Sequence, residues 1–274
     1  MGITNCFLGC NKDLKDADIV VMGVPFDGTS SYRPGSRFAP NAIREASYGI
    51  ETYSPVFDKD IELDMSICDI GDMELPFGNF QKVASIVEEK IEAFFPKKIV
   101  SIGGEHLITL SLFKKFYEKF SNIFLIHFDA HADLRDDYLG EKLSHATVIR
   151  RISEIIHFEK IFQYGIRSGT KDEYNLIKKH KTLNRSVEEI KNIIGKNPVY
   201  LSIDLDVLDP SIFPGTGTPE PGGYSFNELI NFIRQLNNLN IVGCDVVELS
   251  PHYDTSGVST IVAAKVIREL FFIL

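Results

Sequence analysis

Seven short runs of mostly apolar residues punctuate the chain: IVVMGVPF (19–26), SICDI (66–70), KIVSIGG (98–104), NIFLIHFD (122–129), KIFQYGI (160–166), PVYLSIDLD (198–206) and IVGCDVVEL (241–249). Each has the length of a strand, and each is apolar nearly throughout rather than at alternate positions, as expected for strands covered on both faces. A weaker eighth run lies near Thr182 and Leu183. Between the runs are amphipathic stretches with recognisable helix starts: Pro40 opening PNAIREAS, Asn79 before FQKVASIVEEKIEAFF, and Ser225 before FNELINFIRQLNN. Regular alternation of strand and helix predicts an α/β chain with a mainly parallel sheet sandwiched between helices. Ligands of such sheets bind beyond the carboxyl ends of the strands.

The polar residues fall at those ends. His106 follows SIGGE, Asp129 closes NIFLIHF, Asp204 and Asp206 close PVYLSI, and Glu248 closes IVGCDVV. The runs HFDAHAD (127–133) and SIDLDVLD (202–209) set carboxylates, and in the first a histidine, at alternate positions. Side chains two apart share a face of a strand. Asp129, His131, Asp204 and Asp206 are therefore predicted to converge, with Asp133 and His106 completing four carboxylates and two imidazoles. One aspartate after a strand is most simply a helix cap or a turn residue. Several buried acids together repel one another and lose hydration, so the set calls for cations. Its donors suit two hard or borderline divalent ions such as manganese. His127 is expected to lie off the ligand face, as a buried strand histidine with a local partner.

Composition narrows the class without naming a chemistry. The 274 residues are 44% hydrophobic and 24% charged, enough for one large core, and the chain is read as a single domain over 1–274. A formal charge of −9 disfavours nucleic acid and suits a small cationic substrate. Asn5, Asn11, Lys12, Asp13 and Lys15 interrupt any apolar leader, and no stretch is long enough to span a bilayer. A cytoplasmic enzyme without membrane contact is the expectation. Cys6, Cys10, Cys68 and Cys244 are irregularly spaced and suggest neither a disulfide framework nor a metal knuckle.

GGEH (103–106), HFDAHAD (127–133), SHA (144–146), SIDLDVLDPS (202–211), GTGTPEPGG (215–223) and DVVELSP (245–251) together resemble the ordered motifs of the ureohydrolase family, the arginases and agmatinases. The likeness extends upstream through GVPFDGTSSYRPGSRFAPNAIREAS (23–47) and so covers nearly the whole chain. It implies a three-layer α/β/α arginase-like fold with an eight-stranded, mainly parallel sheet. It also implies two Mn2+ per subunit, a metal-bridging hydroxide as nucleophile, and assembly as a homotrimer or homohexamer. Carried over by position, His106 and Asp133 would be terminal ligands of one ion, His131 and Asp206 of the other, and Asp129 and Asp204 the bridges. Asp133 would also orient the attacking hydroxide.

The same resemblance makes His145 a proton carrier and Glu248 the grip on a planar guanidinium, through two parallel hydrogen bonds. Thr218 would contact the guanidinium or the urea product. Read alone, His145 is a helix-start histidine, Glu248 a strand-end cap and Thr218 a turn residue. Glu105 stands where many relatives have aspartate and is expected to act as a supporting acid. LRDDYLGEKL (134–143) lacks the asparagine with which arginases read an α-carboxylate. Asp136 and Asp137 in it are expected to receive a terminal ammonium, which favours agmatine, cleaved to putrescine and urea. Aminopropylagmatine, guanidinobutyrate, arginine and formiminoglutamate are the alternatives, an anionic tail requiring Arg135 or Arg167 as its reader. A catalytically silent, metal-binding family member is the non-enzyme alternative. A one-zinc deacetylase and a metallophosphoesterase fit the motif set less well.

Overall fold

The computed structural model describes residues 6–274, so Asn5 lies outside the described residues. The strands are β1 (Ile19–Val24), β2 (Tyr53–Ser54), β3 (Lys59–Asp60), β4 (Ile67–Asp72), β5 (Lys98–Gly103), β6 (Phe124–Phe128), β7 (Ile161–Tyr164), β8 (Pro198–Asp204) and β9 (Asn240–Val247). The helices are α1 (Ala39–Ser47), α2 (Ile61–Asp64), α3 (Phe80–Glu92), α4 (Ile108–Lys119), α5 (Val148–Ile152), α6 (Lys171–His180), α7 (Val187–Ile194), α8 (Phe226–Gln235) and α9 (Val258–Phe271). Seven strands form one parallel sheet in the order β4-β1-β5-β9-β8-β6-β7, while β2 and β3 make a separate antiparallel pair.

All seven apolar runs are strands of that sheet. The expected eighth strand is a correction: Leu183 makes only an isolated parallel bridge to Gln163. Lys181 and Asn184, on either side, have left-handed φ of 53° and 55°, so extended backbone cannot run past them. Residues of each strand alternate between two cores. Ile19 and Val21 join Ile43, Leu229 and Ile267 on one face, whereas Val20, Met22 and Val24 join Val83, Leu112 and Val148 on the other. The layers are thus α1, α7, α8 and α9, then the sheet, then α3, α4, α5 and α6.

Local chemistry fixes the helix starts. Asn79 accepts the Lys82 amide at 3.0 Å, and Ser225 and Glu228 form a reciprocal capping box at the start of α8. At the carboxyl edge the loop after β1 lies directly against the turn after β5. Gly104 N–H donates to Val24 O at 3.0 Å and Glu105 N–H to Phe26 O at 2.7 Å. A Cβ on Gly104 would stand 1.9 Å from Phe26 O, so this approach requires glycine. Gly104→Ala is expected to destabilise the fold by about 1–3 kcal/mol, the usual range for forced overpacking. Thermal melting checks it; an unchanged midpoint would show that the two loops can separate freely.

Candidate metal centre

Four neighbouring strands, β5, β9, β8 and β6, release their following residues at one place on the carboxyl edge. His106 comes from the turn after β5, Glu248 directly follows β9, Asp204 ends β8, and Asp206 lies in the 3-10 turn Leu205–Val207. Asp129, His131 and Asp133 occupy the loop after β6. Asp133 and Glu248 have φ of 52° and 67°, left-handed values that non-glycine residues rarely adopt. Backbone in that region persists where surrounding structure holds it, commonly at functional sites. Asp133 O accepts the Arg150 amide at 3.0 Å, and the Glu248 amide donates to Gly104 O at 2.9 Å.

The donors converge in two groups. His106 Nδ1 lies 3.1 Å from Asp129 Oδ2, 3.1 Å from Asp133 Oδ2 and 3.4 Å from Asp204 Oδ2. His131 Nδ1 lies 2.9 Å from Asp206 Oδ2 and 3.5 Å from Asp129 Oδ1. Asp129 therefore faces both groups, one oxygen to each. Asp204 faces the first, and its other oxygen accepts the Asp206 amide at 2.8 Å. Among the described residues, two sets of donor atoms lie close enough to hold an ion: His106, His127, Asp129 and Asp133, and Asp129, His131 and Asp206.

Hydrogen bookkeeping behind His106 shows what these groups are built for. Ser202 donates its hydroxyl hydrogen to Asp245 Oδ1 at 2.7 Å, and Tyr200 donates to Asp245 Oδ2 at 2.7 Å. Ser202 Oγ, 2.9 Å from His106 Nε2, is left to accept, which puts the ring proton of a neutral His106 on Nε2. Its Nδ1 lone pair then faces three carboxylate oxygens, and Nδ1 is a buried nitrogen without a hydrogen bond of acceptable geometry. Lone pairs meet in this way around a cation. Imidazole and carboxylate donors fit manganese or a similar divalent ion, and a histidine fixed from behind is the usual arrangement at metals.

Without a cation the charges are frustrated. Burial and the charges of Asp206 and Asp129 push Asp204 well above the carboxylate range, and burial with the Asp129 charge pushes Asp133 up to about 7. Burial also opposes ionisation of Asp129, but the imidazoles of His106, His127 and His131 around it outweigh this and hold it well below. Burial opposes protonation of His106 and His131, yet the facing acids raise both. Glu248 is raised by burial and by Glu105.

A cavity of about 200 Å³ opens over these groups, lined among others by Asp133, His145, Thr218, Glu248, Arg135 and Tyr138. Glu248 Oε1 accepts the His106 amide at 2.8 Å, which turns the other oxygen loose toward the cavity wall beside Gly217. Thr218 Oγ1 donates to Asp206 Oδ2 at 3.3 Å. His145 lies in the 3-10 turn His145–Thr147 ahead of α5, with Thr29 Oγ1 3.3 Å from Nδ1 and Ser31 Oγ 3.4 Å from Nε2. Burial, with the nearby His131 and His106 charges, lowers His145 to about 4.

Two sequence expectations are corrected. Asp136 and Asp137 do not line this cavity: Asp136 pairs with Arg151 at 2.9 Å, Asp137 accepts the Gly140 amide at 3.1 Å, and both border a separate depression beside α6. The acidic loop turns its charge toward the basic face of α5, leaving Arg135 and Tyr138 at the cavity. His127 is buried and partnered as expected, but it is not off the ligand face. Two residues from Asp129, it shares that face and reaches Asp129 Oδ2 at 3.0 Å, while Gln163 Nε2 lies 3.3 Å from its other nitrogen. Gln163, Ser202, Asp245, Thr29 and Glu173 were not singled out from the sequence. Arg167 is spent on backbone carbonyls, those of Asp206 and Glu220 at 2.7 and 2.6 Å among them.

The family model described as Arginase matches residues 17–273. An agmatinase of Bacillus subtilis (strain 168) is 42% identical, the match covering 96% of this chain and 94% of that one. The chain belongs to the arginase family of ureohydrolases. Within the family, a Clostridium difficile chain of known crystal structure superposes with a TM-score of 0.91 at 48% identity, covering 95% of this chain and 98% of its own. A guanidinobutyrase of Pseudomonas aeruginosa is 34% identical over 96% of this chain and 88% of its own length. This member of the arginase family therefore carries a candidate metal centre at the site its sheet topology provides.

Asp129→Ala is expected to abolish binding of manganese at both groups, and His131→Ala to leave one ion of two, as read by equilibrium dialysis and elemental analysis. Equal losses in both variants would contradict the two-group division. In histidine NMR titrations of metal-free protein, His145 is expected to stay neutral down to a midpoint near 4, as its lowered value implies. The folded value lies below the unfolded one, so His145 withdraws stability as pH falls from its ordinary value of about 6.5 toward the folded value. A midpoint above 6 would refute the burial argument.

Proposed function

We propose that the chain hydrolyses agmatine with water to putrescine and urea, using two Mn2+ ions held by His106, Asp129, His131, Asp133, Asp204 and Asp206. The observation that carries this reading is the meeting of His145 and Glu248 with His106, His131, Asp133 and Asp204 on one small cavity, with Asp129 and Asp206 directly behind the two histidines. When bound, a pair of divalent ions makes a shared water acidic enough to attack near neutral pH. The guanidinium carbon needs such help because its charge is delocalised.

The protein side of the reaction follows from the residues. Glu248 holds the guanidinium through its cavity-facing oxygen; a cation there offsets the burial that raises its carboxyl, which a neutral amide would not do. Thr218 supports the same end of the substrate. Asp133 orients the attacking water and takes its proton, which passes to the free ring nitrogen of His145 and from there to the alkylamine nitrogen as the carbon–nitrogen bond breaks, so both side chains return to their starting states and the water's proton ends on putrescine. Urea and putrescine then leave. A buried, neutral imidazole suits that last transfer because it neither repels the cationic substrate nor retains the proton.

Kinship with agmatinase supports agmatine. One observation favours a second reading, a guanidino acid such as guanidinobutyrate: Arg135 lines the cavity, its guanidinium above Tyr138 at 5.1 Å from the ring centroid. Glu173, 3.8 Å from Arg135, offsets that charge and keeps the cavity open to a cationic tail. Assembly as a homotrimer or homohexamer and residence in the cytoplasm belong to the same proposal; no helix among the described residues is long and apolar enough to cross a membrane.

Urea release from agmatine, arginine, guanidinobutyrate and aminopropylagmatine, measured with the manganese-loaded protein, is expected to give the highest kcat/KM with agmatine. Two bound ions with no urea from any of the four would overturn the reading. His145→Ala is expected to retain both ions and lower kcat about 100- to 10,000-fold, the usual weight of a proton-transfer group. Loss of metal in that variant would make His145 a ligand instead.

A further inference from the structure

The loop after β1 does more than close the cavity. Thr29 makes four contacts that join an acid and a base from distant parts of the chain, Glu105 and His145. Its hydroxyl donates to Glu105 Oε1 at 2.6 Å, its amide donates to Glu105 Oε2 at 2.8 Å, and its Oγ1 accepts the His145 amide at 3.0 Å. The same Oγ1 lies 3.3 Å from His145 Nδ1. Ser30 Oγ adds a third donor to Glu105, at 3.3 Å from Oε2. Glu105 is fully buried, and the supporting role expected of it in the sequence has here a specific partner.

A hydroxyl has one hydrogen to give. Three hydrogens converge on Glu105, from the Thr29 amide, the Thr29 hydroxyl and Ser30, which is the setting of a carboxylate that only accepts; at 2.6 Å it takes the hydrogen of Thr29, so Thr29 Oγ1 has only lone pairs left for His145. An imidazole Nδ1 without a proton would then meet a lone pair at hydrogen-bonding distance. Nδ1 carrying the proton meets an acceptor. Ser144 Oγ, also 3.3 Å from Nδ1, can share that proton or turn its own hydrogen away, so it does not oppose this choice. The lone pair is left on Nε2, whose neighbour is Ser31 Oγ at 3.4 Å on the cavity side.

We propose that Glu105 is a positioning residue that acts through Thr29, polarising the Thr29 hydroxyl so that His145 holds its proton on Nδ1 and presents a bare Nε2 to the substrate. The inference rests on the proton-carrier reading of His145 for its catalytic meaning, but the tautomer is a property of the protein alone. It gives Glu105 a task that uses both of its oxygens. It also explains why the loop after β1 is pressed against the turn after β5 at a glycine: the close approach of Phe26 to Gly104 brings Thr29 within reach of Glu105.

The direction of the hydroxyl is what the substitutions reverse. In Glu105→Gln, the amide can accept the Thr29 amide hydrogen through its oxygen and donate through its nitrogen to Thr29 Oγ1. Thr29 is then free to donate to His145 Nδ1, which drives the ring proton to Nε2. Thr29→Val removes the acceptor and leaves Ser144 alone beside Nδ1; Thr29→Ser restores it.

The test is a long-range 15N–1H correlation of the imidazoles in metal-free, 15N-histidine-labelled protein at about pH 9, where an imidazole is neutral and its tautomer can be read. Signals of His145 are identified by their absence from His145→Gln. Wild type and Thr29→Ser are expected in the Nδ1–H form, Glu105→Gln in the Nε2–H form, and Thr29→Val as a mixture. In the manganese-loaded enzyme, Glu105→Gln and Thr29→Val are expected to lower kcat about tenfold or more, with KM changed less than about twofold, and Thr29→Ser to recover kcat. A wild-type Nε2–H tautomer would overturn the proposal, as would Thr29→Val or Glu105→Gln with wild-type tautomer and kcat. Should Glu105→Gln fail to fold, the Thr29 pair still decides. The expected tautomers together with full activity in His145→Ala would sink the proton-carrier reading and leave the positioning intact.

Discussion

Four carboxylates, Asp129, Asp133, Asp204 and Asp206, are buried together at the carboxyl edge of the sheet, and none is within ion-pair distance of a lysine or arginine among the described residues. Elsewhere the chain solves the same problem with its own cations. Asp69 and Asp72 share Arg44, Asp27 holds Arg37, and Glu269 holds Arg268. Desolvating acids without such a partner costs several kcal/mol each in the absence of protons or ions. The split directions of Asp129, held low, and of Asp133 and Asp204, driven high, are the marks of that unmet demand. The order of the sheet, the two left-handed residues and the buried Ser202–Asp245 support all hold the demand in one place.

Much of this was legible in the chain because burial and spacing speak the same language. Strands covered on both faces must be apolar throughout, so an aspartate at position 129 or 204 marks both the end of a strand and an odd event in a core. The helix starts at Asn79 and Ser225 were equally plain, since capping is a local matter. What was not legible depends on neighbours far apart in sequence. Ser202 and Asp245 lie on adjacent strands, and nothing in the sequence of β8 or β9 says that their side chains meet. Thr29 and Glu105 meet only because Gly104 lets two loops touch. The eighth strand failed on two backbone angles, and angles at Lys181 and Asn184 cannot be read from composition.

The loop after Asp133 shows why charge content is a poor guide to charge direction. Asp136 and Asp137 suggested an anionic wall, yet α5 begins with Val148 and soon presents Arg150 and Arg151, which draw the loop's acid outward. What remains at the cavity is an arginine stacked on a tyrosine and balanced by Glu173, the buried acid that caps α6. On the proposed reading, the guanidinium would meet Glu248 directly after β9, and the tail would meet Arg135, whose charge Glu173 of α6 offsets.

The two proposed cation positions lie side by side, with Asp129 between them. A crystal of the manganese-loaded protein, with anomalous diffraction recorded on either side of the manganese edge, tests that arrangement directly. Two peaks are expected, one bounded by His106 and Asp133, the other by His131 and Asp206, both in contact with Asp129. A single peak, or ions bound without Asp129, would contradict it.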